Sequence, residues 1–103
     1  VSKLKLVASP TFTAKVGIPV AGGDPADVVM TFRHRTKSQL DEWVKESGSR
    51  SDILTFKDMV IGWDLEDAFN DDSITLLLEN YMGAALATFQ VYVDELVKAK
   101  AKN

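Results

Sequence analysis

The chain of 103 residues contains no cysteine and a single histidine, His34. Without thiols there is no disulfide framework, no thiolate metal site and no thiol nucleophile, so the fold is indifferent to redox compartment. His34 has no second histidine or cysteine with which to complete a metal site, and it sits between Arg33 and Arg35. It reads as a surface residue at a strand end rather than as a base or ligand. Long apolar runs are also missing: nothing approaches the roughly 18 continuous residues of a membrane span, and no charged, apolar, small-residue export pattern opens the chain. The expectation is an intracellular protein that makes no use of a membrane. A net charge of −3, from 12 basic and 15 acidic side chains, supplies no overall attraction for phosphate. What is present is ordinary, at 46% hydrophobic and 26% charged residues, and enough for one domain over residues 1–103 with a core of its own.

The first ten residues alternate Lys3, Leu4, Lys5 and Leu6, the pattern of a short edge strand or a flexible arm. From Thr11 a period of two is plain: Phe12, Ala14, Val16, Ile18 and Val20 face one way and Thr11, Thr13, Lys15 and Gly17 the other. Pro19 cannot donate to a ladder, so the strand should end there or lie at an edge. Ala21-Gly22-Gly23-Asp24-Pro25 reads as the hairpin turn, and Asp27 to Arg35 as the second strand, with Val28, Met30 and Phe32 inward. Two strands alone are marginal in water, so the apolar face of the hairpin must lie on helices.

Four helices should follow. Thr36-Lys37-Ser38-Gln39 has the form of a capping box ahead of Leu40, Trp43 and Val44. Ser51 or Asp52 can cap a second helix with Ile53, Phe56, Met59, Val60 and Trp63 at helical spacing. Residues 64–72 are acidic around Leu65 and Phe69, a loop pinned by two apolar anchors, and Asp71, Asp72 and Ser73 offer caps and negative charge to the next helix. The last third, Asp71 to Lys98, reads as two helices meeting at Met82-Gly83, where glycine allows a left-handed corner. Ile74, Leu77, Leu78 and Tyr81 share one face of the first, and Ala85, Phe89, Tyr92, Val93 and Leu96 one face of the second. Residues 98–103 should fray. The fold class is α+β, an N-terminal β-hairpin followed by about four helices.

Chemistry is harder to find. Five carboxylates fall between Asp64 and Asp72, but a calcium loop from Asp64 would need glycine sixth and glutamate twelfth, where Phe69 and Thr75 stand. Gly22-Gly23-Asp24 precedes a strand, not a helix, so no helix N-terminus is offered to an anion. No nucleophile elbow occurs, and no acid, base and nucleophile can be assembled, which argues against an enzyme. No cofactor is indicated. Arg33, His34, Arg35 and Lys37 form a small basic cluster, readable as a phosphate patch of a nucleic-acid-binding regulator or as the polar end of a strand.

The final helix holds more apolar residues than one stripe requires: Leu86, Ala87, Val91 and Val97 lie outside it. A helix apolar over most of its circumference needs two partners. Leu86, Val91, Val93 and Val97 are therefore the candidate partner-binding residues, exposed in part for self-association or for a client.

Several runs resemble, in order and spacing, the tail assembly chaperones of long-tailed, lambda-like bacteriophages and prophages. These are Phe12-Thr13-Ala14-Lys15-Val16, Thr31-Phe32-Arg33-His34-Arg35-Thr36-Lys37, Val60-Ile61-Gly62-Trp63-Asp64-Leu65, and Leu77-Leu78-Glu79-Asn80-Tyr81-Met82-Gly83-Ala84-Ala85 before Phe89 and Tyr92. The corner has Met82 where a common form of the family's motif has proline. The resemblance implies a non-enzymatic homo-oligomer in the host bacterial cytoplasm. Its partners would be the long helical tape measure protein and the tail tube protein, and it would be absent from the mature virion. In many relatives a ribosomal frameshift adds a C-terminal extension, so this chain would be the short product. The rival reading is a structural tail component that stays in the particle.

Overall fold

The computed structural model describes residues 4–97. Strand β1 (Thr11–Ile18) pairs antiparallel with β2 (Ala26–Arg33), with Phe12 opposite Phe32 and Val16 opposite Val28. The turn closes through the Gly23 amide, which donates to the Val20 carbonyl at 3.0 Å, with Gly22 at φ 77°. That positive φ is the left-handed position that a side chain would resist. Strand β1 stops at Ile18, one residue before Pro19, as the missing amide requires. Residues 4–10 form neither strand nor helix. Residues 1–3 of the expected edge strand or arm over residues 1–10, and the expected frayed tail at 98–103, lie outside the described residues.

Helix α1 (Lys37–Lys45) starts at the expected capping box: the Gln39 amide donates to Thr36 Oγ1 at 3.2 Å and the Thr36 amide to Gln39 Oε1 at 2.9 Å. A short 3₁₀ turn at Ser47–Ser49 leads to α2 (Asp52–Met59), capped by Ser51. Here the helical spacing misleads. Val60 and Trp63 do not continue α2; they belong to a third strand, β3 (Val60–Trp63), antiparallel to β2 in the order β1-β2-β3. Val60 and Ile61 are β-branched and Gly62 is a poor helix former, so the segment gains more from the open edge of β2 than from another helical turn. A bulge near Thr31 and Phe32 lets Val60 and Trp63 both meet inward-facing partners, Phe32 and Met30.

Helix α3 (Asp71–Asn80) is capped one residue earlier than expected, by Asn70, whose Oδ1 accepts the Ser73 amide at 2.9 Å. Asp71 and Asp72 instead place charge in its first turn, where the dipole favours it. Helix α4 (Ala84–Val97) follows a tight corner. Gly83 is not left-handed, since Gly22 is the described glycine with positive φ. Its missing side chain serves close approach: a Cβ there would lie 2.9 Å from Pro19 Cγ, so the hairpin turn is seated on the corner.

The sheet covers the helices with one face only. Val16, Ile18, Val28, Met30 and Phe32 are buried with Leu40, Trp43, Phe56, Met59, Val60, Ile74, Leu77, Ala84 and Tyr92. Helix α4 packs chiefly on β1 and α2 rather than on α3. Its buried line is Ala84, Thr88 and Tyr92, rotated from the expected one, because two small side chains bring its backbone close to the sheet. Thr88, fully buried, sets its hydroxyl 3.9 Å from Met30 Sδ.

Candidate partner-binding surface

A polar and aromatic cluster fixes the orientation of α4. The Phe12, Phe32 and Tyr92 rings stack, with centroids 5.4 to 6.1 Å apart, and Trp43 meets Tyr92 edge-on at 5.7 Å. The Tyr92 hydroxyl donates to the Arg33 carbonyl at 2.7 Å and accepts from Arg35 Nη1 at 2.9 Å. Arg35 Nη1 also donates to the Asp58 carbonyl at 2.7 Å, while Trp43 Nε1 donates to the Asp58 carboxylate at 3.0 Å. The Arg35 and Arg50 guanidinium groups each lie 4.6 Å from the Trp43 ring centroid, within cation–π range. Arg50 Nε is buried without a hydrogen bond, held only by the Asp58 carboxylate at 3.7 Å.

This network changes the meaning of the basic cluster. Arg35 is turned inward among Trp43, Asp58 and Tyr92, and Lys37 pairs with Asp41 at 3.3 Å. Of the four residues only Arg33 and His34 make no side-chain hydrogen bond or ion pair among the described residues, and His34 is half-buried. They do not make a phosphate-tracking stripe.

Burial raises the Tyr92 hydroxyl above its ordinary pKa, outweighing the opposing pull of Arg35. The folded state therefore holds this proton more tightly than the unfolded chain does. Its contribution is complete below the ordinary value near 10 and is lost as pH climbs through the higher folded value. In urea titrations between about pH 9 and 12 the wild-type midpoint should fall more steeply than that of Tyr92→Phe. Parallel curves would show that Tyr92 ionisation is not linked to folding.

The candidate residues on α4 are placed differently from one another. Leu86, Gln90, Val93 and Val97 follow each other at i, i+4, i+7 and i+11, a single line along the helix away from Ala84, Thr88 and Tyr92. Leu86 is 61% exposed, Val97 62%, and Val93 half-buried. Met82, at the corner one turn before Leu86, is 94% exposed. Val91 is half-buried and lies on the other side, packed against the core. Three of the four thus form an outer stripe, and the fourth helps to seat the helix.

A second apolar feature has no counterpart in the sequence pattern. Between the hairpin turn, the 64–70 connection and α3 opens a cleft of about 590 Å³, whose wall includes Val20, Trp63, Leu65, Asp67, Leu76 and Tyr81. Phe69 anchors the connection as expected, edge-on to Trp63 at 4.9 Å, and Trp63 Nε1 donates to the Asp67 carbonyl at 2.8 Å. Leu65 is not an anchor; it stays 37% exposed at the cleft. Among the described residues no three His, Asp or Glu side chains are grouped to hold a metal.

Helix α4 is thus locked to the sheet on one face and carries an uncovered apolar line on the other. The family model for phage tail assembly chaperones matches residues 1–103. The chain belongs to that family. This tail assembly chaperone has an α+β body and an exposed apolar stripe on α4. No curated protein and no solved structure matches it. No helix among its described residues is long and apolar enough to cross a membrane.

Proposed function

We propose that this tail assembly chaperone binds the tape measure protein through the outer stripe of α4 and helps to recruit tail tube subunits, without catalysing a reaction. The observation that carries the reading is the line Leu86, Val93 and Val97 along a helix whose opposite face is locked to the sheet. A helical client can lay its own apolar line along such a surface, as helix-in-groove recognition requires. Complete burial of a Leu or Val side chain is worth about 1.5–3 kcal/mol, so one chaperone with two such residues half exposed holds its client weakly. Many copies along one long client would hold it firmly and still leave as tube subunits arrive. Val91 supports the stripe from behind. The site of action is the host cytoplasm, and the chaperone leaves before the particle is complete.

The test is co-expression with a candidate tape measure protein, with and without this chain. The client should move from the pellet to the soluble fraction and co-purify with the chaperone. A client equally insoluble in both cultures would count against the proposal, as would a stoichiometric amount of this chain in purified particles.

A further inference from the structure

Just ahead of β1 the chain carries apolar side chains that its own body does not cover: Leu6 is 98% exposed and Val7 86%. Lys5 beside them is exposed as well. The cleft offers the complement, since Val20, Leu65, Leu76 and Tyr81 lie in its wall together with Asp67. Glu66 adjoins Asp67, Asp72 opens α3, and none of these three carboxylates is ion-paired among the described residues.

In its own chain the arm starts from the end of β1 opposite the hairpin turn, where Ile18, Val20 and Ala21 line the cleft. From Leu6 to Thr11 an extended backbone spans at most about 18 Å. Strand β1 carries the chain from Thr11 to Ile18, which lines the cleft, a distance of about 24 Å at strand rise. Ala8 and Ser9, moreover, lie with His34, Glu95 and Leu96, at the end of the sheet away from the hairpin turn. We infer that Leu6 and Val7 of one copy seat in the cleft of a second copy, with Lys5 set against Asp67 in its wall.

Arm and cleft are different surfaces, so the contact is heterologous: each copy gives one arm and receives another, and copies join head to tail. This contact uses neither α4 nor a client, and it stands or falls separately from the proposed function.

Sedimentation velocity over a range of concentrations tests it on the whole chain, using Leu6→Glu and Leu76→Glu. Both positions are exposed, at 98% and 63%, and both variants should melt at the wild-type Tm. The wild-type coefficient should rise with concentration, and each variant alone should sediment as a monomer. An equimolar mixture should give a species of two chains and nothing larger, because one variant keeps its cleft and the other its arm. A monomeric wild type, variants that associate as the wild type does, or a mixture that stays monomeric would each overturn the inference.

Discussion

Tyr92→Ala should remove about 4–6 kcal/mol of stability, enough to leave much of the chain unfolded at room temperature. The side chain is fully buried between two strands and α1, stacked on Phe12 and Phe32 and edge-on to Trp43. Truncating a buried aromatic costs about 3–5 kcal/mol through lost transfer energy and the cavity left behind. The missing hydroxyl also takes its donor from the Arg33 carbonyl and removes one of the two acceptors of Arg35 Nη1. Tyr92→Phe isolates that second part and should cost only about 1–2 kcal/mol. Urea midpoints of the two variants separate the effects. A phenylalanine variant as unstable as the alanine one would mean that the hydrogen bonds, not the ring stack, hold α4 to the sheet.

Gly83→Ala should destabilise by about 1–3 kcal/mol, although alanine is normally the better residue near a helix. The new methyl would sit 2.9 Å from Pro19 Cγ and 3.3 Å from its Cβ, and a ring tied to the backbone at both ends cannot swing aside. Either the hairpin turn lifts from the corner or the start of α4 shifts. The penalty should shrink in a Pro19→Ala background, where Cγ and Cδ are gone. A double-mutant cycle by thermal or urea unfolding measures that coupling. Additive effects within about 0.5 kcal/mol would place the cost of Gly83→Ala elsewhere.

Local signals were legible at the first helix start and at the hairpin, where the partners are close in sequence. The capping box is complete within Thr36 to Gln39, and the hairpin follows from one alternating run, a glycine-rich turn and a second run. What escaped was non-local. Val60 and Trp63 share helical spacing with Phe56 and Met59, and only the free edge of β2, some thirty residues earlier, makes them a strand. Two adjacent β-branched residues before Gly62 were the available hint. Arg35 looked like one member of a basic run because Asp58 and Tyr92, 23 and 57 positions away, are invisible to a local reading. The surplus of apolar residues on the last helix was countable, yet which of them face outward depends on the roll of α4. Ala84 and Thr88 set that roll by allowing close approach to the sheet. The cleft combines the hairpin turn, the 64–70 connection and α3, three stretches that no periodicity links.

The most direct measurement is the solubility of the tape measure protein co-expressed with a chaperone carrying Leu86→Asp, Val93→Asp and Val97→Asp together. Because Leu86 and Val97 are about three-fifths exposed and Val93 is half-buried, the variant should fold with a Tm within a few degrees of the wild type. Three charges along the stripe should abolish client contact, so the predicted result is a soluble, folded chaperone and a client found in the pellet. A client that stays soluble and still co-purifies with this variant would contradict the assignment of the α4 stripe as the binding surface.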